Sequence, residues 1–190
     1  MSHRSNVLGV DPANTGAAVF LSSDKGTAVG VLWETVFRKK QKVYKVTIAN
    51  PSTMSSETLL APTIAHVGGI IANLDCLEKP FMLSCEDTYV SRNAYVAINL
   101  GKTTGMLLSP IMIKHNKLPN YVKANTWRQQ VLGIKPRTKR DVCKKLSLQL
   151  IPSALPCVSG LLAMLGKYDH LTDAAGIALW LHQKHNTTQE

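Results

Sequence analysis

Two short apolar runs, Val7–Val10 and Phe81–Cys85, each stop on a carboxylate, the first on Asp11 and the second on Glu86-Asp87. A brief apolar run bounded by turn signals is the pattern of a strand buried inside a sheet. Such a strand holds whatever ends it rigidly at the mouth of the sheet. Asp11 opens Asp11-Pro12-Ala13-Asn14-Thr15-Gly16, in which most residues favour turns for backbone reasons, so a plain turn would account for it if it stood alone. The second run ending on acids weakens that explanation, because burying a charge without a compensating partner is costly.

The segments between these runs give the organisation. Asn6–Val10 and Ala17–Leu21 read as strands joined by the opening turn. Thr27–Phe37 and Val43–Ala49, rich in Val, Thr and aromatic residues, read as a hairpin broken at Arg38–Lys42. Together they predict a meander of three antiparallel strands. Ser55-Ser56-Glu57 predicts the start of a helix whose apolar face is Leu60, Ile64, Val67, Ile71 and Leu74. Arg92–Leu108 predicts a second helix with a ridge of small residues, Ala94, Ala97, Gly101 and Gly105, suited either to packing within the chain or to a subunit interface. Tyr121–Ala124 predicts a last strand, followed by a helix at Thr126–Leu132, a basic loop Lys135-Pro136-Arg137 and a basic helix Thr138–Leu150. Ile151–Lys167, with two prolines and two glycines, predicts a linker or insertion holding a helical turn or two. Leu171–His182 predicts the terminal helix, burying Ala174, Ile177, Ala178 and Leu181. No repeat or second domain is visible, so residues 1–190 are expected to form one domain.

At 190 residues the chain is long enough to bury roughly two thirds or more of its unfolded surface. Its four cysteines, Cys76, Cys85, Cys143 and Cys157, have no metal-ligand spacing and are expected to stay reduced, as in an intracellular protein. The N-terminus lacks a signal-peptide core, and the most apolar stretch, Leu59–Leu74, is broken by Pro62, His66 and two glycines. A soluble, cytoplasmic, non-secreted protein without a membrane partner is expected. The net charge of +10, with cations grouped at Arg38-Lys39-Lys40, at Arg137 with Lys139-Arg140, and at Lys144-Lys145, makes a polyanion such as nucleic acid a credible partner.

A third group of acids opens the terminal helix in Tyr168-Asp169-His170-Leu171-Thr172-Asp173. Residues three and four apart share a helix face, so Asp169, His170 and Asp173 can converge. Asp169 also suits a helix start, whereas Asp173 sits at the edge of an apolar stripe and needs a partner, which a metal ion would provide. In-line hydrolysis of a phosphodiester is served by two hard cations about 3.5–4 Å apart, and carboxylates are their natural ligands.

The order of GVDP with TG, LSCED before a small-residue helix, WRQQVLG with a basic segment, and DHLTDAAGIALWL resembles the RuvC family of Holliday-junction resolvases, from Asn6 to about His182. The resemblance implies an RNase H-like three-layer α/β/α fold on a mixed five-stranded sheet, three antiparallel strands followed by two parallel ones. It implies a homodimer cutting four-way junctions or other branched DNA, with Mg²⁺, replaceable by Mn²⁺, as two ions at an acidic tetrad. By position, Asp11, Glu86 and Asp173 are metal ligands, and His170 fills the fourth place or relays a proton, with Asp169 the alternative. Tyr89 falls where relatives place an aromatic against bases, and is equally readable as a buried loop tyrosine. Lys139, near the expected scissile phosphate, and Arg128 divide between a chemical role and phosphate-backbone contact, and Arg92, Lys102, Arg137 and Arg140 complete the implied DNA surface. Alanine at position 13 and the segment 151–167 depart from the usual pattern and resemble bacteriophage and other divergent members. Two other classes bear on the reading. An actin-like or sugar-kinase ATPase needs a second related domain that does not fit this length, and a silent DNA-binding module leaves the three acid sites without a purpose.

Overall fold

The computed structural model describes residues 5–87, 94–166 and 169–187. Its centre is a seven-stranded mixed sheet built from β1 (Asn6–Asp11), β2 (Gly16–Leu21), β3 (Ala28–Arg38), β4 (Gln41–Asn50), β5 (Ser55–Ala61), β6 (Phe81–Glu86) and β7 (Asn120–Val122), in the order β5-β4-β3-β2-β1-β6-β7. The first five strands run antiparallel in sequence, whereas β6 lies parallel to β1 and β7 parallel to β6. Alternation along β1 shows why its apolar run is unbroken: Val7 enters the core on one face, while Leu8 and Val10 enter the core on the other.

Six helices cover the two faces: α1 (Ile64–Ala72), α2 (Ala94–His115), α3 (Ala124–Leu132), α4 (Arg140–Ala154), α5 (Pro156–Leu165) and α6 (Asp169–Thr187). Leu107, Leu108 and Ile111 of α2 pack with Ile64, Val67 and Ile71 of α1 over Leu8, Val10 and Trp33. The opposite core joins Trp127 of α3, Ile151 of α4, Val158 and Leu161 of α5, and Ala174, Ile177 and Ala178 of α6 over Val7, Val19 and Leu21. The approach of α6 to β1 depends on Gly9, where a Cβ would lie 2.2 Å from the Ala174 carbonyl oxygen. The absent side chain lets the terminal helix lie against the strand that ends in Asp11.

Four sequence expectations are corrected. The sheet has seven strands rather than the five that the resemblance implies: the strand read at Val43–Ala49 takes its place in the sheet as β4, and β5 pairs beyond it. Ser55–Ala61 does not begin a helix; it pairs without a bulge along β4, from Asn50 opposite Ser55 to Tyr44 opposite Ala61. Helix α1 instead starts after Thr63, whose side chain accepts from the His66 backbone N–H. The helix expected to end at Leu108 is described from Ala94 and runs on to His115 through Pro110. The described part of the expected linker, 151–166, is helical instead: α4 extends to Ala154, and α5 begins on Pro156, a residue pre-set for a helix start, and buries Val158, Leu161 and Leu165.

The small-residue ridge of α2 faces outward. Ala94, Gly101 and Gly105 are exposed, and a Cβ at either glycine would meet nothing within 4 Å. Packing within the described chain therefore does not explain the ridge. By length and composition α2 could cross a membrane. One of its sides is nonetheless occupied by Thr104, Leu107, Leu108 and Ile111 in the core.

Candidate active site

The ends of the adjacent parallel strands β1 and β6 bring Asp11 and Glu86 to one edge of the sheet, and the first turns of α6 bring His170 and Asp173 to the same place. His170 Nδ1 lies 2.6 Å from Asp11 Oδ2. The Trp127 indole N–H donates to Glu86 Oε2 at 3.2 Å, and the Arg128 guanidinium donates to Asp173 Oδ2 at 2.7 Å. Each carboxylate thus has one oxygen held by a neighbouring side chain. The second oxygen of Asp173, Oδ1, is buried with no hydrogen-bond partner.

The electrostatics match this crowding. Burial, then the Asp11 and Asp173 charges, push the Glu86 carboxyl up to about 7. Burial also pushes Asp173 up to about 6, with Asp11 adding to the effect and Arg128 opposing it. The hydrogen bond to Asp11 raises His170, although burial works against it. Three carboxyl groups are thus crowded against one guanidinium and one imidazole. Hard oxygen donors beside one imidazole, with a buried oxygen left over, form a donor set that fits a divalent cation. As the side chains stand, no group of three or more His, Cys, Asp or Glu residues among the described residues is gathered tightly enough to hold a metal ion. The three protein donors already engage one oxygen of each acid.

Helix α3 supplies two of those donors from consecutive residues. A Cβ at Gly176 of α6 would come 2.4 Å from the Trp127 ring, so the ring lies directly on the backbone of α6. The Arg128 guanidinium stacks over that ring at 4.9 Å before reaching Asp173. The sequence motif WRQQVLG contained Trp127, but nothing local in it indicated that its indole would reach Glu86. The nearest signal was the glycine at position 176, whose purpose only the folded contact reveals.

The remaining expected site residues separate into distinct places. Asp169 forms an ion pair with Lys144 of α4; burial opposes ionisation there, but Lys144 holds the carboxyl below its usual range. Asp169 is thereby turned to α4, and His170 is the one that meets Asp11. Of the two roles open for Arg128, the structure puts its side chain among the acids, only 14% exposed and paired with Asp173. Arg137, Lys139 and Arg140 are exposed on the loop and first turn leading into α4, the helix that Lys144 ties to the start of α6. Lys102 is exposed on α2. Tyr89 and Arg92 lie outside the described residues. A groove of about 880 Å³ between β5 and α1, lined by Leu59, Ala65 and Ile70 among others, contains none of these residues.

A mixed sheet with acids at the ends of two adjacent parallel strands, completed by acids of a terminal helix lying on the first strand, defines an α/β fold of the RuvC kind. The chain resembles Thermus thermophilus RuvC, with a TM-score of 0.54 and 12% identity over 97% of this chain and 96% of that one. It also resembles T. thermophilus RuvC in complex with Holliday junction substrate, with a TM-score of 0.56 and 13% identity over 97% of each chain. At these identities the likeness is one of fold. No protein-family model and no curated protein sequence matches the chain.

Proposed function

We propose that this chain is a divalent-metal-dependent endonuclease that resolves four-way junctions or other branched DNA as a homodimer. The observation that carries the reading is the convergence of Asp11, Glu86 and Asp173 with a buried, unpartnered Asp173 oxygen in a protein of net charge +10. The fold likeness to a protein solved with Holliday junction substrate supports the substrate class.

In this reading Asp11, Glu86, Asp173 and His170 hold Mg²⁺, or Mn²⁺ in its place. The bound metal would activate water and stabilise the leaving oxygen of a phosphodiester. The chain's own residues do the positioning. Trp127 orients Glu86 through its N–H, Arg128 orients Asp173, and His170 fixes the rotamer of Asp11. Lys139, Arg137 and Arg140 offer exposed cations to backbone phosphates, which give affinity without sequence readout. The outward ridge of α2, flanked by exposed Tyr95, Val96, Ile98 and Met106, supports an interface with a second copy, whose two sites would cut opposing strands.

The test incubates the purified protein with a labelled four-way junction, with and without Mg²⁺, beside a linear duplex and an Asp11→Asn variant. Metal-dependent nicking of the junction that the variant abolishes is expected. Binding without cleavage, or cleavage unchanged by the variant, would refute the catalytic assignment. Equal cutting of linear duplex would leave a nuclease without junction selectivity.

A further inference from the structure

The β3–β4 hairpin is longer than the sheet needs. Strand β3 leaves β2 at Trp33, opposite Gly16, yet continues through Arg38. Strand β4 parts from β5 beyond Tyr44. From Val36 to Val43 the two strands pair only with each other, as Val36 with Val43, Phe37 with Lys42 and Arg38 with Gln41. Because β3 runs in the same direction as β1 and β6, this two-stranded ribbon projects past the sheet edge that carries Asp11 and Glu86. Five residues beyond Trp33, at roughly 3.4 Å each, give it a reach of about 17 Å.

Its surface is chemically one-sided. Between Glu34 and Glu57 the chain has no acid, while the ribbon and its base carry Arg38, Lys39, Lys40, Lys42 and Lys45. Phe37 is 74% exposed near the tip. It shares a face with Thr35 and Lys42, and that face is tied to the opening turn: the Trp33 indole N–H donates to the Ala13 carbonyl at 2.8 Å, the Thr35 hydroxyl to the Asn14 carbonyl at 3.0 Å, and Lys42 Nζ to Asn14 Oδ1 at 3.0 Å. The ribbon is therefore braced against the loop that follows Asp11. The turn itself is built against backbone preference. Lys39 and Lys40 have φ of +47° and +67°, the left-handed pair of a two-residue hairpin turn that favours Asn-Gly. Two lysines there sacrifice backbone ease for charge at the tip.

We propose that this ribbon is a DNA-binding arm: Lys39, Lys40 and Arg38 contact phosphates of a duplex segment leading away from the cleavage site, and Phe37 packs on base edges in its groove. A major groove is wide enough to admit a two-stranded ribbon, and an apolar side chain such as Phe can contact base edges there, thymine methyls in particular. The inference rests on the branched-DNA reading above.

The test is equilibrium binding of a fluorescent four-way junction in EDTA, followed by anisotropy over a salt series, for the full chain and two variants. Lys39→Asn/Lys40→Gly gives the turn its preferred residues, so it should melt no lower than the wild type while binding more weakly. Its slope of log affinity against log salt should become shallower by about 1.8, since each lost phosphate contact removes about 0.9. Phe37→Ala should weaken binding about fivefold or more with the slope unchanged, because its contact is apolar burial and not charge. If the wild type fails to bind the junction, the branched-DNA reading fails and the arm with it. If the wild type binds and both variants match it in affinity and slope, the arm is overturned and the reading stands.

Discussion

Glu86 occupies a position where its charge is unfavourable in the fold, so removing that charge should stabilise the protein while ending the proposed cleavage. Burial and the Asp11 and Asp173 carboxylates lift its carboxyl from an ordinary 4.5 to about 7. Between those two pH values the native state binds more protons than the unfolded chain. The stabilisation from the protonated carboxyl is therefore fully present below about pH 4.5 and is lost as pH rises through about 7. At about 1.4 kcal/mol per pH unit the whole span amounts to ~3 kcal/mol. Asp11 and Asp173 share the repulsion, so the part removable at Glu86 alone is about 1–3 kcal/mol. Glu86→Gln retains an oxygen to accept the Trp127 N–H and leaves the packing unchanged. For a chain of this size 1 kcal/mol moves Tm by about 2–4 °C, which predicts a gain of about 3–10 °C at pH 8 in EDTA. At pH 5 the wild-type carboxyl is already protonated in the fold, and the gain should shrink to about 1–3 °C. Thermal unfolding followed by circular dichroism at both pH values measures this directly. An equal gain at pH 5 and pH 8, or a loss at pH 8, would refute the crowded-carboxylate account of the site.

Two further perturbations probe how the acids are held. Trp127→Phe keeps an aromatic ring over Gly176 and beneath Arg128 but removes the donor to Glu86; single-turnover cleavage should slow about tenfold or more, while chemical denaturation shows a loss of only about 1 kcal/mol. Gly9→Ala places a Cβ 2.2 Å from the Ala174 carbonyl oxygen, so α6 must separate from β1; urea unfolding should show a loss of about 1–3 kcal/mol or more, with Mg²⁺-dependent stabilisation weakened as Asp173 moves from Asp11.

The acids were legible because their signal is local. Val7–Val10 and Phe81–Cys85 are apolar on successive residues, and each core takes alternate side chains, so the residue that ends each run must stand at the sheet edge. Asp173 was legible for a similar reason, as a charge on a helix whose surrounding residues, Thr172 through Leu181, are all buried. Strand β5 was not. Ser55-Ser56-Glu57 carries the chemistry of a helix start, and Leu60, Ile64, Val67, Ile71 and Leu74 step by three and four. The deciding fact is non-local: β4 presents an open edge, and pairing seven residues along it outweighs a helical preference that Thr63 can cap instead, eight residues after Ser55.

The same distinction divides the candidate site. Which residues carry charge there follows from strand ends and one helix face, each readable within about ten residues. What holds those charges does not. Arg128 reads as a surface cation on a short polar helix, and its commitment to Asp173 exists only because Trp127 can lie on α6 at Gly176, forty-nine residues further along the chain. A side chain at position 176 would lift the indole, withdraw the donor from Glu86 and carry Arg128 away from Asp173 together. The composition of the acid cluster is thus encoded locally, whereas its geometry is encoded in close contacts between residues far apart in sequence, Trp127 on Gly176 and Gly9 against Ala174, and substitutions at those contacts should alter the site without touching any of its acids.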